Sequence, residues 1–344
     1  MEIKRKRLWT TVAMLLAVVT VFTVIKGSGM TFEEFRAELA AASNGWLILA
    51  FCCMLGFIIF EGEAVIAIVR SCGYNCGHHH AVLYSAADIY FSAITPSATG
   101  GQPACAYFMI KDGVPGAVAT AALLVNLICY NLAIMTLGGL AILVRPQVFL
   151  NFNPICKVLI AGGFAVDIGL TVLFYLLLHK RDLIFRIGMW FVKLFHKIHI
   201  IREPDKVKQK LLHTMAEYKR SVDIMSGHRK MWFQAYIYNL LQRVSQVLVT
   251  GCAYRALGGK GGTWKLLVSQ CFAVIGSNSV PVPGAMGVAD YLMLDGYLNL
   301  MDRDHAFQVQ LLSRGISFYT CIILCGVIMG LGLYLNRRKK RKTI

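Results

Sequence analysis

The sequence is short of charge, and shortest of negative charge: 15% of its 344 residues are charged, with 18 Asp and Glu against 35 Lys and Arg. A soluble domain carries about a quarter, so an ordinary water-soluble globule is excluded. Also missing are a Walker A loop, a nucleophile elbow, a Rossmann glycine fingerprint and an HExxH motif. No cofactor or catalytic residue is therefore expected. The longest stretch between apolar blocks is about fifty residues, the lower edge of domain size, and leaves no room for a soluble catalytic domain. A disulfide framework is absent too, because Cys52, Cys53, Cys129, Cys252, Cys271, Cys321 and Cys325 lie inside apolar stretches, where cysteine behaves as a small buried hydrophobe. Cys72-x-x-x-Cys76-x-His78-His79-His80 offers zinc-ligand types. Its spacing is atypical and no second ligand pair is near, so a pH-sensitive juxtamembrane turn is expected and no metal.

What the chain does have is apolar residues, 57% of the total. They fall in blocks: Val12–Ile25, Trp46–Phe60, Ala117–Val144, Ile155–Leu178, Met231–Arg255 and Gly315–Leu335. Each approaches or exceeds the ~20 residues that cross a bilayer. Repetition to the C-terminus rules out a lone signal peptide. The net charge of +17 sits beside these blocks, at Lys4–Arg7, Lys180–Lys230 and Arg337–Lys342. That is the positive-inside pattern, not a nucleic-acid footprint, and nucleic acid is not an expected partner.

With Lys4–Arg7 in the cytoplasm, alternating crossings place both termini and Lys180–Lys230 inside a multi-pass cell-membrane protein. The crossings close only if two further stretches return to the side they entered. Tyr84–Asp112 is interrupted by Pro96–Pro103, and Trp264–Leu300 by Pro281–Gly287. Proline removes a donor and disfavours helix before it, and glycine permits reversal. The expected fold is all-α and polytopic: about six full transmembrane helices plus two Pro/Gly-broken re-entrant hairpins, arranged like an inverted repeat. Full spans with a proline kink are the alternative. Residues 1–344 read as one transmembrane domain, with a basic amphipathic connector at 180–230 and a basic tail at 336–344. Within the connector, Ile184–Lys197 suggests a helix on the inner leaflet, and Pro204–Met225 a more polar one.

Polar residues at membrane depth default to function. Glu61 and Glu63 stand at the end of the second block, Asp88 in the first hairpin, Asn126 and Asn131 in the third block, and Asp167 in the fourth. Gln242, Arg243 and Gln246 lie mid-block in the fifth, while Ser277, Asn278 and Ser279 precede the second break and Asp290 follows it. Arg243, some twelve residues into its block, needs either a carboxylate (Asp88, Asp290 or Glu61) or a phosphate, which a guanidinium grips at two points. Half-helices starting after Gly100-Gly101 or Gly287 would turn unpaired N–H groups toward an anion such as a phospholipid headgroup. Alternatively, those glycines serve close packing.

At the breaks, AITPSATGGQPACAYFMIKDGVPGAVATAALLV (Ala93–Val125) and IGSNSVPVPGAMGVADYLML (Ile275–Leu294) resemble the lysylphosphatidylglycerol synthase transmembrane-region family. This is the flippase-like membrane half of multiple peptide resistance factor proteins. The resemblance covers nearly the whole chain. It implies a translocator for (aminoacyl-)phosphatidylglycerol, and it points to Pro96, Gly100, Gly101, Gln102, Pro103 and Lys111 with Gly113. In the second break it points to Pro281, Pro283, Gly284, Gly287 and Asp290. The family pattern has glutamate where this chain has Asp290. Full-length members add a C-terminal synthase domain, whereas this chain stops at Ile344.

The expected function is therefore translocation of a phospholipid, or a related anionic or polyprenyl lipid, between leaflets. The candidate headgroup path comprises the residues just named with Glu61, Asp88, Arg243 and Asn278. Alternatives are a phosphatidylglycerol lysyltransferase linked to cationic-peptide resistance, and a non-transporting membrane partner of a separate synthase. Expected partners are a membrane phospholipid, anionic inner-leaflet lipids along Lys180–Lys230, and a second copy of the chain or a separately encoded synthase.

Overall fold

The computed structural model describes residues 42–95, 98–180, 186, 189–190, 204–278, 280, 282–285 and 287–342. The first block Val12–Ile25, most of Ile184–Lys197, and Pro96 and Pro281 lie outside these residues. Among the described residues every regular element is a helix. In chain order they are α1 (Asn44–Ser71), α2 (His78–Ile94), α3 (Gly101–Lys111), α4 (Gly116–Val144), α5 (Pro146–Asn151) and α6 (Pro154–His179). Then follow α7 (Pro204–Gly227), α8 (Arg229–Ala256), α9 (Thr263–Asn278), a 3-10 turn (Pro283–Ala285), α10 (Val288–Leu298), α11 (Arg303–Arg314), a π turn (Gly315–Thr320) and α12 (Cys321–Lys342).

By length and composition α1, α4, α6 and the continuous Arg303–Tyr334 can cross a membrane. Helix α8 is as long as α1, 28 residues, but is too polar to qualify on composition. Burial explains this: Asn239, Gln242, Arg243, Ser245 and Thr250 all face the protein interior, so α8 is not required to be lipid-compatible. Conversely α6 exposes Val158, Ile168, Val172 and Leu173, an apolar face suited to acyl chains and costly in water.

Two helical hairpins occupy the places where the sequence is broken. In the first, α2 and α3 run antiparallel, since Tyr84 Oη donates to Asp112 Oδ2 at 3.0 Å near the open end and Gln102 Nε2 to Asp88 Oδ2 at 3.0 Å near the break. In the second, Tyr297 Oη donates to Gln270 Oε1 at 2.6 Å, and Gly276 lies against Leu292, so α9 and α10 are antiparallel as well. The arms have 17 and 11 residues in one hairpin and 16 and 11 in the other.

The match extends beyond the hairpins. The starts of α1 and α8 (Asn44, Arg229), α2 and α9 (His78, Thr263), α3 and α10 (Gly101, Val288), and α4 and α11 (Gly116, Arg303) are each separated by 185 or 187 residues. The two central counterparts, α1 and α8, pack along their length. They run antiparallel: Ser43 N donates to Ala256 O at 2.9 Å at one end, while Phe60 stacks on Tyr238 toward the other. The second set is therefore inverted relative to the first. The second arm of each hairpin packs on its own following helix (α3 on α4, α10 on α11). The first arm of each packs on the other set's helix (α2 on α12, α9 on α4). The fold is an interlocked inverted repeat.

One boundary differs from the sequence expectation. The block Trp46–Phe60 does not end at Glu61 and Glu63, because α1 continues through Val65, Ile66, Ile68 and Val69, all buried, to Ser71. Glu61 is consequently interior to a long helix. Its carboxylate does not break the helix, because it has a partner on α8 (below).

Candidate functional site

The crossing of α1 and α8 collects the buried polar residues of both repeats. Gln242 on α8 donates through Nε2 to Glu61 Oε2 on α1 at 2.9 Å. Asp88, one helix away on α2, lies within hydrogen-bonding reach of Glu61. It also accepts from Ser92 Oγ at 3.2 Å and from Gln102 Nε2 at 3.0 Å. These contacts carry the cluster to the first break. In the other direction Arg243 places its guanidinium 4.1 Å over the Tyr130 ring and 5.7 Å from that of Phe57. Tyr130 Oη donates to Asn278 Oδ1 at 2.9 Å, and Asn278 Nδ2 to Asp167 Oδ1 at 3.0 Å. Asn278 is the last residue of α9. One seam thus joins the two breaks: Gln102, Asp88, Glu61, Gln242, Arg243, Tyr130, Asn278, Asp167. The 3-10 turn of the second break also touches α2, so the breaks are neighbours in space.

Arg243 is the unusual member. It is 6% exposed, and among the described residues no carboxylate ion-pairs with it; the pairs formed are Arg314–Asp290, His78–Glu63 and His80–Asp112. Its Nη1 donates to Gln246 Oε1 at 2.6 Å, and its Nε is buried with no acceptor. Glu61 and Asp88 sense its charge from farther away. Beside it a narrow cleft runs between α4, α8 and α9, walled by apolar residues such as Ile134, Val247 and Ile275.

The other expected site residues divide cleanly. Gly101 is needed for close approach, because a Cβ there would lie 2.0 Å from both Asp88 Oδ1 and Ser92 Oγ. Gly100 donates its N–H to Thr95 Oγ1 at 2.9 Å, and Pro103 sits exposed in the first turn of α3. Lys111 is apart from the seam, exposed at the far end of α3. In the second break Gly284 takes a positive φ of 58° under the Phe318 ring, where a Cβ would come within 2.1 Å. Gly287 has φ 79° and open space around it. Pro283 begins the 3-10 turn. Asp290 joins a bracket instead of the seam: Oδ2 accepts from Gly287 N at 2.9 Å, and Oδ1 takes Arg314 Nε at 3.0 Å, while Arg314 Nη2 reaches Gly284 O at 3.3 Å. The free N–H group expected at Gly287 is therefore already taken by the chain's own carboxylate.

Tyr130, Phe57 and Arg314 were not singled out by the sequence. Tyr130 had one available signal, its placement four residues after Asn126 on one helical face. Each break also holds one alanine at positive φ, Ala98 at 52° and Ala285 at 50°, the two non-glycine cases among the described residues. Such strain concentrates where a site over-determines the backbone.

The cysteine–histidine turn is built from pairs. Arg70 Nη2 donates to Cys76 O at 2.6 Å, His78 contacts Glu63, and His80 lies 3.7 Å from Asp112. Burial pushes the Cys72 and Cys76 thiols up from their ordinary value, which keeps them protonated.

Two comparisons place this architecture. UPF0104 membrane protein PH1989 of Pyrococcus horikoshii is 21% identical over 252 residues, covering 70% of this chain and 73% of that protein. Residues 10–325 match the lysylphosphatidylglycerol synthase TM region. That match takes in both hairpins, the α1–α8 crossing and every residue of the seam, and the chain is a membrane protein belonging to the lysylphosphatidylglycerol synthase transmembrane-region family.

Proposed function

We infer that the protein translocates an anionic phospholipid between leaflets, with (aminoacyl-)phosphatidylglycerol or a polyprenyl-linked phosphate as the cargo class. The observation that carries this reading is Arg243, a buried guanidinium without an ion-pair partner among the described residues, set midway along a polar seam. An unpaired buried charge is costly and persists where a ligand supplies the counter-charge. A planar guanidinium suits a phosphodiester, and the residues that wall the cleft beside it are apolar.

The hairpins support the same reading. At 1.5 Å per residue the arms reach roughly 25 and 17 Å, short of a ~30 Å hydrocarbon core, and each hairpin returns toward its starting side. Re-entrant breaks meeting near the midplane within an inverted repeat are how secondary transporters build a substrate site. The cleft beside Arg243 is too narrow for water in this conformation, so passage needs one repeat to move against the other.

The test is headgroup translocation of labelled phosphatidylglycerol in proteoliposomes. Arg243→Ala is expected to lose roughly 10- to 100-fold, the worth of a charged hydrogen bond. Undiminished translocation in both Arg243→Ala and Arg243→Gln would remove Arg243 from the path.

A further inference from the structure

We propose that Glu61 and Asp88 together form a proton-binding site, and that its occupancy is linked to the headgroup at Arg243. The linkage rests on the translocation reading; the proton site does not.

Both carboxyls are 6% exposed and within hydrogen-bonding reach of each other. Two ionised carboxylates within hydrogen-bonding reach and away from water repel strongly, and such a pair is stable when they share a proton. The hydrogen-bond inventory around the pair points the same way. Gln242 is 1% exposed; its Nε2 serves Glu61 while its Oε1 is buried with no donor, and Gln102 Oε1 is likewise buried without one. Four carboxyl oxygens and two amide oxygens thus face only two amide nitrogens and the Ser92 hydroxyl. The cluster is rich in acceptors and short of donors, which added protons correct.

Charge balance connects the pair to Arg243. The titratable groups facing the carboxyls are Arg243 on α8, Cys105 on α3, Tyr130 on α4, and Cys321 and Cys325 on α12. Thiols and phenol are neutral, so the arginine supplies the positive charge. With one proton shared, the pair carries a single negative charge, which Arg243 offsets. A phosphodiester arriving at Arg243 takes over that role. The pair is then left with an uncompensated negative charge, and a proton from the aqueous phase bonds to the remaining carboxylate oxygen. Departure of the headgroup reverses the step. By reciprocity, protonation strengthens headgroup binding as much as the headgroup strengthens protonation. Ser92 and Gln102, half-buried at the first break and bonded to Asp88, link the pair to the protein surface.

The proton site is tested on purified protein in phosphatidylcholine nanodiscs by infrared difference spectroscopy across pH. The expected result is a protonated-carboxyl C=O band that disappears in Glu61→Gln and shifts or disappears in Asp88→Asn, with both variants eluting as folded protein. Adding phosphatidylglycerol should increase the band in the wild type. Absence of any band that depends on both residues would overturn the site.

The linkage is tested in proteoliposomes with an imposed pH difference. One proton per headgroup predicts a leaflet ratio of about tenfold per pH unit, and an even distribution in Glu61→Gln. Translocation that proceeds in the wild type but ignores the pH difference would overturn the linkage and leave the translocation reading standing. No translocation at all would overturn that reading, and the infrared band would still decide the proton site.

Discussion

The two hairpins have nearly the same arm lengths, the same antiparallel geometry and one left-handed alanine each, yet they differ in chemistry. In the first, the carboxylate Asp88 sits in the arm before the break and turns into the seam toward Glu61 and Gln102. In the second, Asp290 sits after the break and is consumed by Gly287 and Arg314. At the helix crossing Glu61 corresponds to Gln246, and along the hairpins Asp88 corresponds to Ala273, given the 185-residue spacing. A shared backbone plan has thus become one hairpin with exchangeable protons and one that is clamped. The asymmetry teaches that an inverted repeat need not contribute two equal half-sites.

The comparison can be broken hardest at the closest backbone approach. Gly101→Leu drives a side chain into Asp88 and Ser92 in the first hairpin. It should cost about 3 kcal/mol, the upper end for overpacking, and abolish translocation. Gly287→Ala meets open space and only a positive φ, so about 1–2 kcal/mol is expected. Thermal melting of the two variants in the same detergent measures the gap; equal losses would end the claim that the first break is the more tightly packed.

Arg243→Ala should separate function from stability. Translocation falls by the 10- to 100-fold stated above, while the melting temperature changes little, because the lost stacking on Tyr130 and the lost compensation of the Glu61–Asp88 charge offset the relief of no longer burying a cation. A large fall in melting temperature would instead identify Arg243 as a structural residue.

A smaller effect is expected at the clamp. Asp290→Asn keeps the shape but weakens the partly exposed pair with Arg314, for about 1–2 kcal/mol. It should leave the Glu61–Asp88 infrared band unchanged, since Asp290 lies outside the seam. Smallest of all, Ala98→Gly and Ala285→Gly relieve a left-handed alanine and should each stabilise by up to about 1 kcal/mol, equally in the two hairpins if the breaks are strained alike.

Much of this was visible in the residues. The apolar blocks announced the helices, and the clustering of proline and glycine marked both breaks. The polar residues in apolar blocks, from Glu61 to Asn278, foretold most of the seam. The errors have physical causes. Glu61 read as the end of a span because the apolar block stops at Phe60, but the helix runs on to Ser71 and Gln242 on α8 satisfies the carboxylate. Asp290 read as one possible carboxylate for Arg243, yet Arg314, 24 residues on, claims it. Tyr130 went unnoticed because a tyrosine in an apolar run looks like packing, and only the fold sets it under a guanidinium.

By itself, the sequence determined that this chain lives in a bilayer and where its helices break, since both follow from local composition and backbone chemistry. Tertiary structure alone decided that Arg243 has no carboxylate partner among the described residues and that Glu61 meets Asp88. Those facts depend on antiparallel packing between residues as far apart as Glu61 and Gln242, and no local pattern encodes which buried charge will find a partner.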